Sequence, residues 1–78
     1  MTEVEWIKEF GTNLKRIMHE NNIMQRELSK DTGLTEVSVS RYINGLRVPS
    51  TITLLKLAYA LDCDLDDLAD FGSTIKEN

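Results

Sequence analysis

One cysteine, Cys63, and one histidine, His19, are all that this 78-residue chain has of either. A lone cysteine excludes a disulfide within the chain, and the two residues offer no zinc-type spacing, so no metal or cofactor is expected. No run of eighteen or more apolar residues occurs, which excludes an ordinary membrane-spanning helix. The opening Met1-Thr-Glu-Val-Glu-Trp6 is acidic and has no apolar signal core, which points away from secretion and toward the cytoplasm. No nucleophile–base pair, metal cluster or phosphate-binding glycine loop is found, so an enzyme is not expected. The aspartates near the C-terminus lack the glycine and terminal glutamate of a calcium loop and read as helix caps and solubilising charge. Alternating hydrophobicity between turn residues is absent too, which argues against strands. There are no internal repeats and no low-complexity segment.

What is present is a small all-α chain with one core. Its net charge of −4 is unevenly spread. Residues 1–13 carry Lys8 against three glutamates, for −2. Residues 14–50 carry Lys15, Arg16, Arg26, Lys30, Arg41 and Arg47 against Glu20, Glu27, Asp31 and Glu36, for +2. Residues 51–78 carry Lys56 and Lys76 against six acidic groups, for −4. A basic middle between acidic ends permits nucleic-acid binding without indicating it.

Five helices are predicted. Ile7, Phe10, Leu14 and Ile17, with Val4, Trp6 and Met18 beside them, recur at three- and four-residue spacing on one helical face. That helix should end at Asn21-Asn22, since asparagine tolerates the left-handed conformation. A second helix, Gln25 to Thr32, buries Leu28, and Gly33 turns the chain. Thr35 caps a third helix through its oxygen and the N–H of Val37 or Ser38; it runs to Asn44 and buries Val39, Ile43 and part of Tyr42. Ser50 caps a fourth, where Ile52, Leu54, Leu55, Leu57, Ala58, Tyr59 and Leu61 give a broad apolar face. Asp64 caps a short fifth with Leu65 and Leu68, whose Asp66 and Asp67 suit the positive helix end. The domain is expected over residues 1–71, with a polar tail at 72–78. Cys63, between two apolar helices, reads as a small buried hydrophobe, and His19 as exposed.

Two short helices joined by a glycine turn meet the geometric requirement of a helix-turn-helix. Gln25-Arg-Glu-Leu-Ser-Lys-Asp-Thr-Gly-Leu-Thr-Glu-Val-Ser-Val-Ser-Arg-Tyr-Ile-Asn-Gly45, then Pro49-Ser50 and Leu54-Leu-Lys-Leu-Ala-Tyr-Ala-Leu61, resembles the Cro/phage-repressor type of helix-turn-helix protein. The register holds without a gap from about Phe10 to Leu68. The resemblance implies a compact five-helix, lambda-repressor-like domain that binds double-stranded DNA as a transcriptional regulator. It places Thr35, Glu36, Val37, Ser40 and Arg41 toward the major groove, and Gln25, Ser38, Asn44 and Ser50 toward phosphates. Helical spacing agrees: with Val39 and Ile43 inward, residues 36, 37, 40, 41 and 44 lie outside. Arg41 can bond guanine O6 and N7 together, Glu36 can accept from a cytosine amino group, and Val37 can touch a thymine methyl. Each also has a plain reading, as a solvated charge, a helix-dipole partner or an exposed aliphatic. Arg47, in the following loop, divides evenly between a phosphate contact and a solvated charge.

The chain departs from the family pattern in three respects. Where many members pair an arginine in the first helix with a glutamate ending the recognition helix, this chain has Met18 and Ile43, expected to touch. Met24 stands at the cap before Gln25 and cannot cap with its side chain, and Ser29 replaces a usual alanine. One short reading helix per chain implies a homodimer on a palindromic operator; a repressor is the expected role, although nothing in the residues separates it from an activator. Leu68, Phe71 and Ile75, or Trp6 at the other end, are the expected dimer-forming apolar groups. The rival reading is a protein-interaction module, antitoxin-like or adaptor, on the same fold.

Overall fold

The computed structural model describes residues 2–69. Five helices follow in chain order: α1 (Glu3–Glu20), α2 (Gln25–Thr32), α3 (Glu36–Ile43), α4 (Thr51–Leu61) and α5 (Leu65–Leu68). No strand occurs among the described residues.

The ends of these helices are set by the expected residues. Thr2 caps α1 and Glu5 returns a hydrogen bond to the Thr2 N–H at 3.2 Å, which lowers the Glu5 carboxyl pKa. Asn22, at φ 56°, stops α1 while the Ile23 N–H reaches back to the Met18 carbonyl at 2.8 Å. Gly45, at φ 68°, stops α3 in the same way, with the Leu46 N–H on the Arg41 carbonyl at 2.8 Å. Thr35 and Ser50 cap α3 and α4 by accepting from the N–H groups of Ser38 and Thr53. Met24 gives α2 no side-chain cap, but Glu27 accepts from its N–H at 3.1 Å, so half of a capping box remains.

The core is built from one face of each helix. Phe10, Leu14, Leu28, Val39, Leu57 and Leu68 are its fully buried members. Each such side chain contributes about 1.5–3 kcal/mol through removal from water. Trp6 stacks on Phe10 with ring centroids 5.7 Å apart, and Phe10 meets the Tyr42 ring edge-on at 6.3 Å. Asn13 of α1 donates to the Leu68 carbonyl at 3.2 Å, tying the last helix to the first.

Four burial expectations need correction. Leu68, expected at a dimer surface, is fully enclosed in its own chain's core; Phe71 and Ile75 lie outside the described residues. Tyr42 is buried and Ile43 only half-buried, the reverse of the expected order, because Tyr42 packs against Phe10. The fourth helix does not bury one broad face: Ile52, Leu55 and Tyr59 point outward while Thr53, Leu54, Leu57, Ala58 and Leu61 point in. Cys63 is half-buried, and desolvation, followed by the charges of Asp67, Asp64 and Asp62, raises its thiol pKa. It therefore remains a thiol at neutral pH.

Candidate DNA-binding face

The turn between α2 and α3 is fixed by three hydroxyl hydrogen bonds and one glycine. Gly33 adopts φ 78°, and its N–H bonds the Ser29 carbonyl at 2.9 Å. Thr32 donates to the Leu28 carbonyl at 2.7 Å and accepts from the Leu34 N–H at 3.2 Å. Ser29 donates to the Leu34 carbonyl, so its hydroxyl clasps both ends of the turn. This is the role of the serine that replaces the usual alanine. Ser29→Ala should lower stability by about 1 kcal/mol, the worth of one such bond. A chemical-denaturation midpoint unchanged from the parent would refute that role.

Gly11 holds α3 from the other side. A Cβ there would lie 2.5 Å from the Ile43 carbonyl oxygen and 2.6 Å from that of Tyr42, so α1 touches the end of α3 backbone to backbone. Nothing in the expected site included Gly11. The available signal was a glycine inside an otherwise regular apolar helix, where it costs about 1 kcal/mol against alanine. Next to this crossing, Met18 and Ile43 line one apolar groove with Ile23 and Met24. Both pack into or against the core, in place of an ion pair.

With Val39 and Tyr42 buried, the opposite face of α3 is open. Glu36, Val37 and Arg41 are exposed there, Val37 by 60%. Thr35 is exposed at the cap, and Ser38 and Ser40 are half-buried. The ten residues expected at DNA divide into two sets. In the first, side chains are already engaged with one another. The Thr35 hydroxyl accepts from the Ser38 N–H and donates to the Ser38 hydroxyl, both at 3.0 Å. Arg47 donates to the same Ser38 oxygen at 3.0 Å, with its guanidinium 5.9 Å from the Tyr42 ring centre. Asn44 donates to the Ser40 carbonyl at 2.8 Å and the Ser40 hydroxyl at 3.3 Å. The Ser50 hydroxyl is committed to Thr53, accepting from its N–H and donating to its hydroxyl, both at 3.1 Å.

The second set is Gln25, Glu36, Val37 and Arg41. The polar members of this set make no side-chain hydrogen bond or ion pair among the described residues. The ion pair there, Arg16–Glu20 at 3.3 Å, lies within α1 and is half exposed on both sides. At Ser50 the donors available to an anion are therefore the free N–H groups of the first turn of α4, as helix starts generally provide. The start of α2 at Gln25 is comparable.

Residues 13–72 match the family model described as the Cro/C1-type HTH DNA-binding domain. The sequence matches none of the curated proteins searched. Among solved structures, the chain is similar to the restriction-modification controller protein C.AhdI from Aeromonas hydrophila. The two share 31% identity over 80% of this chain and 94% of that one, with a TM-score of 0.77. It shares its fold with an HTH_3 family transcriptional regulator from Vibrio cholerae, at TM-score 0.81 and 19% identity, over 86% of this chain and 38% of that one. It also shares it with the DNA-binding domain of BldD, at TM-score 0.75 and 21% identity, over 88% of this chain and 99% of that domain. No described helix is long and apolar enough to cross a membrane. A five-helix core that leaves one face of α3 open, matched over most of its length by one family model, makes this chain a member of the Cro/C1-type helix-turn-helix DNA-binding family.

Proposed function

We propose that the chain is a sequence-specific transcriptional regulator, a repressor that binds a palindromic operator as a homodimer with α3 in the major groove. The observation that carries this reading is the exposed, unpaired trio Glu36, Val37 and Arg41 on a helix whose other side is locked into the core. Base readers need side chains free of other partners on a helix that cannot roll. Arg41 reads a guanine, Glu36 a cytosine amino group and Val37 a thymine methyl. Thr35 and Ser40 shape the reading face, while Gln25 and the α4 start at Ser50 set its register on phosphates. Ser38, Asn44 and Arg47 position the loop that follows. The similarity to a restriction-modification controller protein favours a role in controlling expression over one as an adaptor.

Selection of bound sequences from random duplex DNA, followed by affinity against salt, tests the reading. Recovery of a two-part symmetric site is expected, with half-sites about one helical turn apart and affinity falling steeply as salt rises. Weak binding that ignores sequence would sink it.

A further inference from the structure

Where the end of α1, the start of α2 and the end of α3 meet, the chain has an apolar groove that the DNA-binding reading leaves without a role. Its volume is about 420 Å³, within the range of small-molecule sites. Of its apolar lining, Met18 is buried, Ile23 and Ile43 are half-buried, and Met24 is 70% exposed. Two methionines make that lining adaptable, since an unbranched thioether can re-pack around the shape it meets.

The polar lining carries charge of one sign only. Lys15, His19 and Gln25 border the groove and no carboxylate does, in a chain with 13 acidic groups against nine Lys and Arg. None of these three side chains makes a hydrogen bond or ion pair among the described residues. Glu27, in the first turn of α2, is bonded back to the Met24 N–H at 3.1 Å and does not line the groove.

We propose that this groove binds a small amphipathic carboxylate, its apolar body between Met18, Met24 and Ile43 and its anionic end at Lys15. The lining takes hydrocarbon out of water. Lys15 supplies one positive charge, which balances a carboxylate and would leave a doubly charged phosphate in excess. The Gln25 amide and the His19 ring are donors for the remaining carboxylate oxygen. At about 30 Å³ per heavy atom, the share a water molecule takes, the groove holds on the order of ten to fourteen non-hydrogen atoms. The chain's own C-terminal residues are a poorer occupant. Asn13 holds the Leu68 carbonyl, and it lies two positions before Lys15 in α1, so the two residues face about 200° apart. The segment after Ala69 thus starts from the side of α1 away from the groove.

The position has a consequence, which rests on the proposed function. The groove reaches from Gln25, a proposed phosphate anchor, to Ile43 at the end of the reading helix. A carboxylate at Lys15 adds negative charge beside the phosphate path, so ligand and operator weaken each other by the same factor.

Octanoate, which falls in the expected size range, is the probe, titrated into the DNA-free full chain with labelled methionine methyl groups followed by NMR. The Met18 and Met24 methyls should shift saturably, with a dissociation constant on the order of 1 mM or below, while the Met1 methyl stays in place. Octanamide, of equal size and uncharged, should bind at least ~5-fold more weakly, and Lys15→Ala should erase that difference. Met24→Glu, at an exposed position that leaves the core alone, should weaken octanoate by at least ~10-fold. At saturation, and against acetate at matched ionic strength, octanoate should lower operator affinity by at least ~3-fold. Shifts that do not saturate, or that Met1 shares, overturn the site, and octanamide binding as tightly as octanoate overturns the ligand class. Octanoate that binds only after residues 70–78 are removed shows the chain's own tail as the occupant. Methyl shifts that follow chain concentration without any probe show a second copy there; either result overturns the proposal. Octanoate bound with operator affinity unchanged overturns the coupling. A chain that selects no operator overturns the proposed function, while the titration still decides the ligand site.

Discussion

Gly11→Ala should lower the melting temperature by roughly 5–15 °C, although alanine is the better helix former. Two effects oppose each other. Replacing a mid-helix glycine gains about 1 kcal/mol of propensity. Against that, the new methyl would lie 2.5 and 2.6 Å from two carbonyl oxygens at the end of α3. Those oxygens belong to backbone, so no side chain can swing aside, and α1 must part from α3 along the crossing. Overpacking of this kind costs about 1–3 kcal/mol, and more where only backbone can yield. The clash wins. Gly33→Ala is the informative contrast, because a Cβ there meets nothing within 4 Å and only its φ of 78° resists. That left-handed backbone costs about 1–2 kcal/mol without moving any helix. Thermal melts by circular dichroism check both. DNA affinity measured well below the melt distinguishes them further, since only the Gly11 change shifts the reading helix. A Gly11→Ala melt equal to or above the parent's would show that α1 and α3 can separate at no cost.

Arg41→Ala should lose about 10- to 100-fold in affinity for the selected operator, and the loss should concentrate at one base pair in each half-site. The guanidinium is exposed, projects from the last turn of α3 and has no partner among the described residues. Truncating it therefore frees no other protein group and costs the fold little. Arg47→Ala makes the comparison sharp. Its guanidinium is bound to Ser38 and lies by the Tyr42 ring, so its removal loosens the α3 end instead of erasing one base preference. For Arg47 the expectation is a uniform loss across operator variants together with a lower melting temperature. Competition binding against single-base operator variants decides the matter. An Arg41 loss spread evenly over all variants would reassign it to phosphate.

Much of this architecture was readable because the punctuation is chemical. Thr35 offers a capping oxygen, Gly33 accepts a positive φ, and Asn22 stops α1 as its amide side chain allows. These are properties of single residues, so sequence carries them. The two faces of α4 were not readable for the opposite reason. Leu54 and Leu55 are the same residue type at neighbouring positions, and only the other helices decide that one is enclosed and the next is not. Tyr42 and Ile43 exchanged burial on the same account, because Phe10 provides a ring edge for one and the groove beside Met18 leaves the other half open. At the reading face, helical spacing placed Glu36, Val37, Arg41 and Asn44 outward and Val39 inward as observed, but it put Ser40 outside and Ile43 inside where both are half-buried. It could not show that Thr35, Ser40 and Asn44 are bonded to neighbours while Arg41 is not, since those partnerships depend on rotamers and on a loop at most nine positions away in chain order.

The groove in which Met18 and Ile43 stand has a bearing on handling as well as on structure. An oily contact is indifferent to ionic strength, whereas an arginine–glutamate link weakens as counterions accumulate around it. With the remaining ion pair of the described residues on the surface of α1, little of the fold's cohesion is ionic. Grip on a phosphate backbone is mostly ionic. A jump in salt should thus strip the duplex away and hand back an intact, folded chain, so release and unfolding become two separate dials.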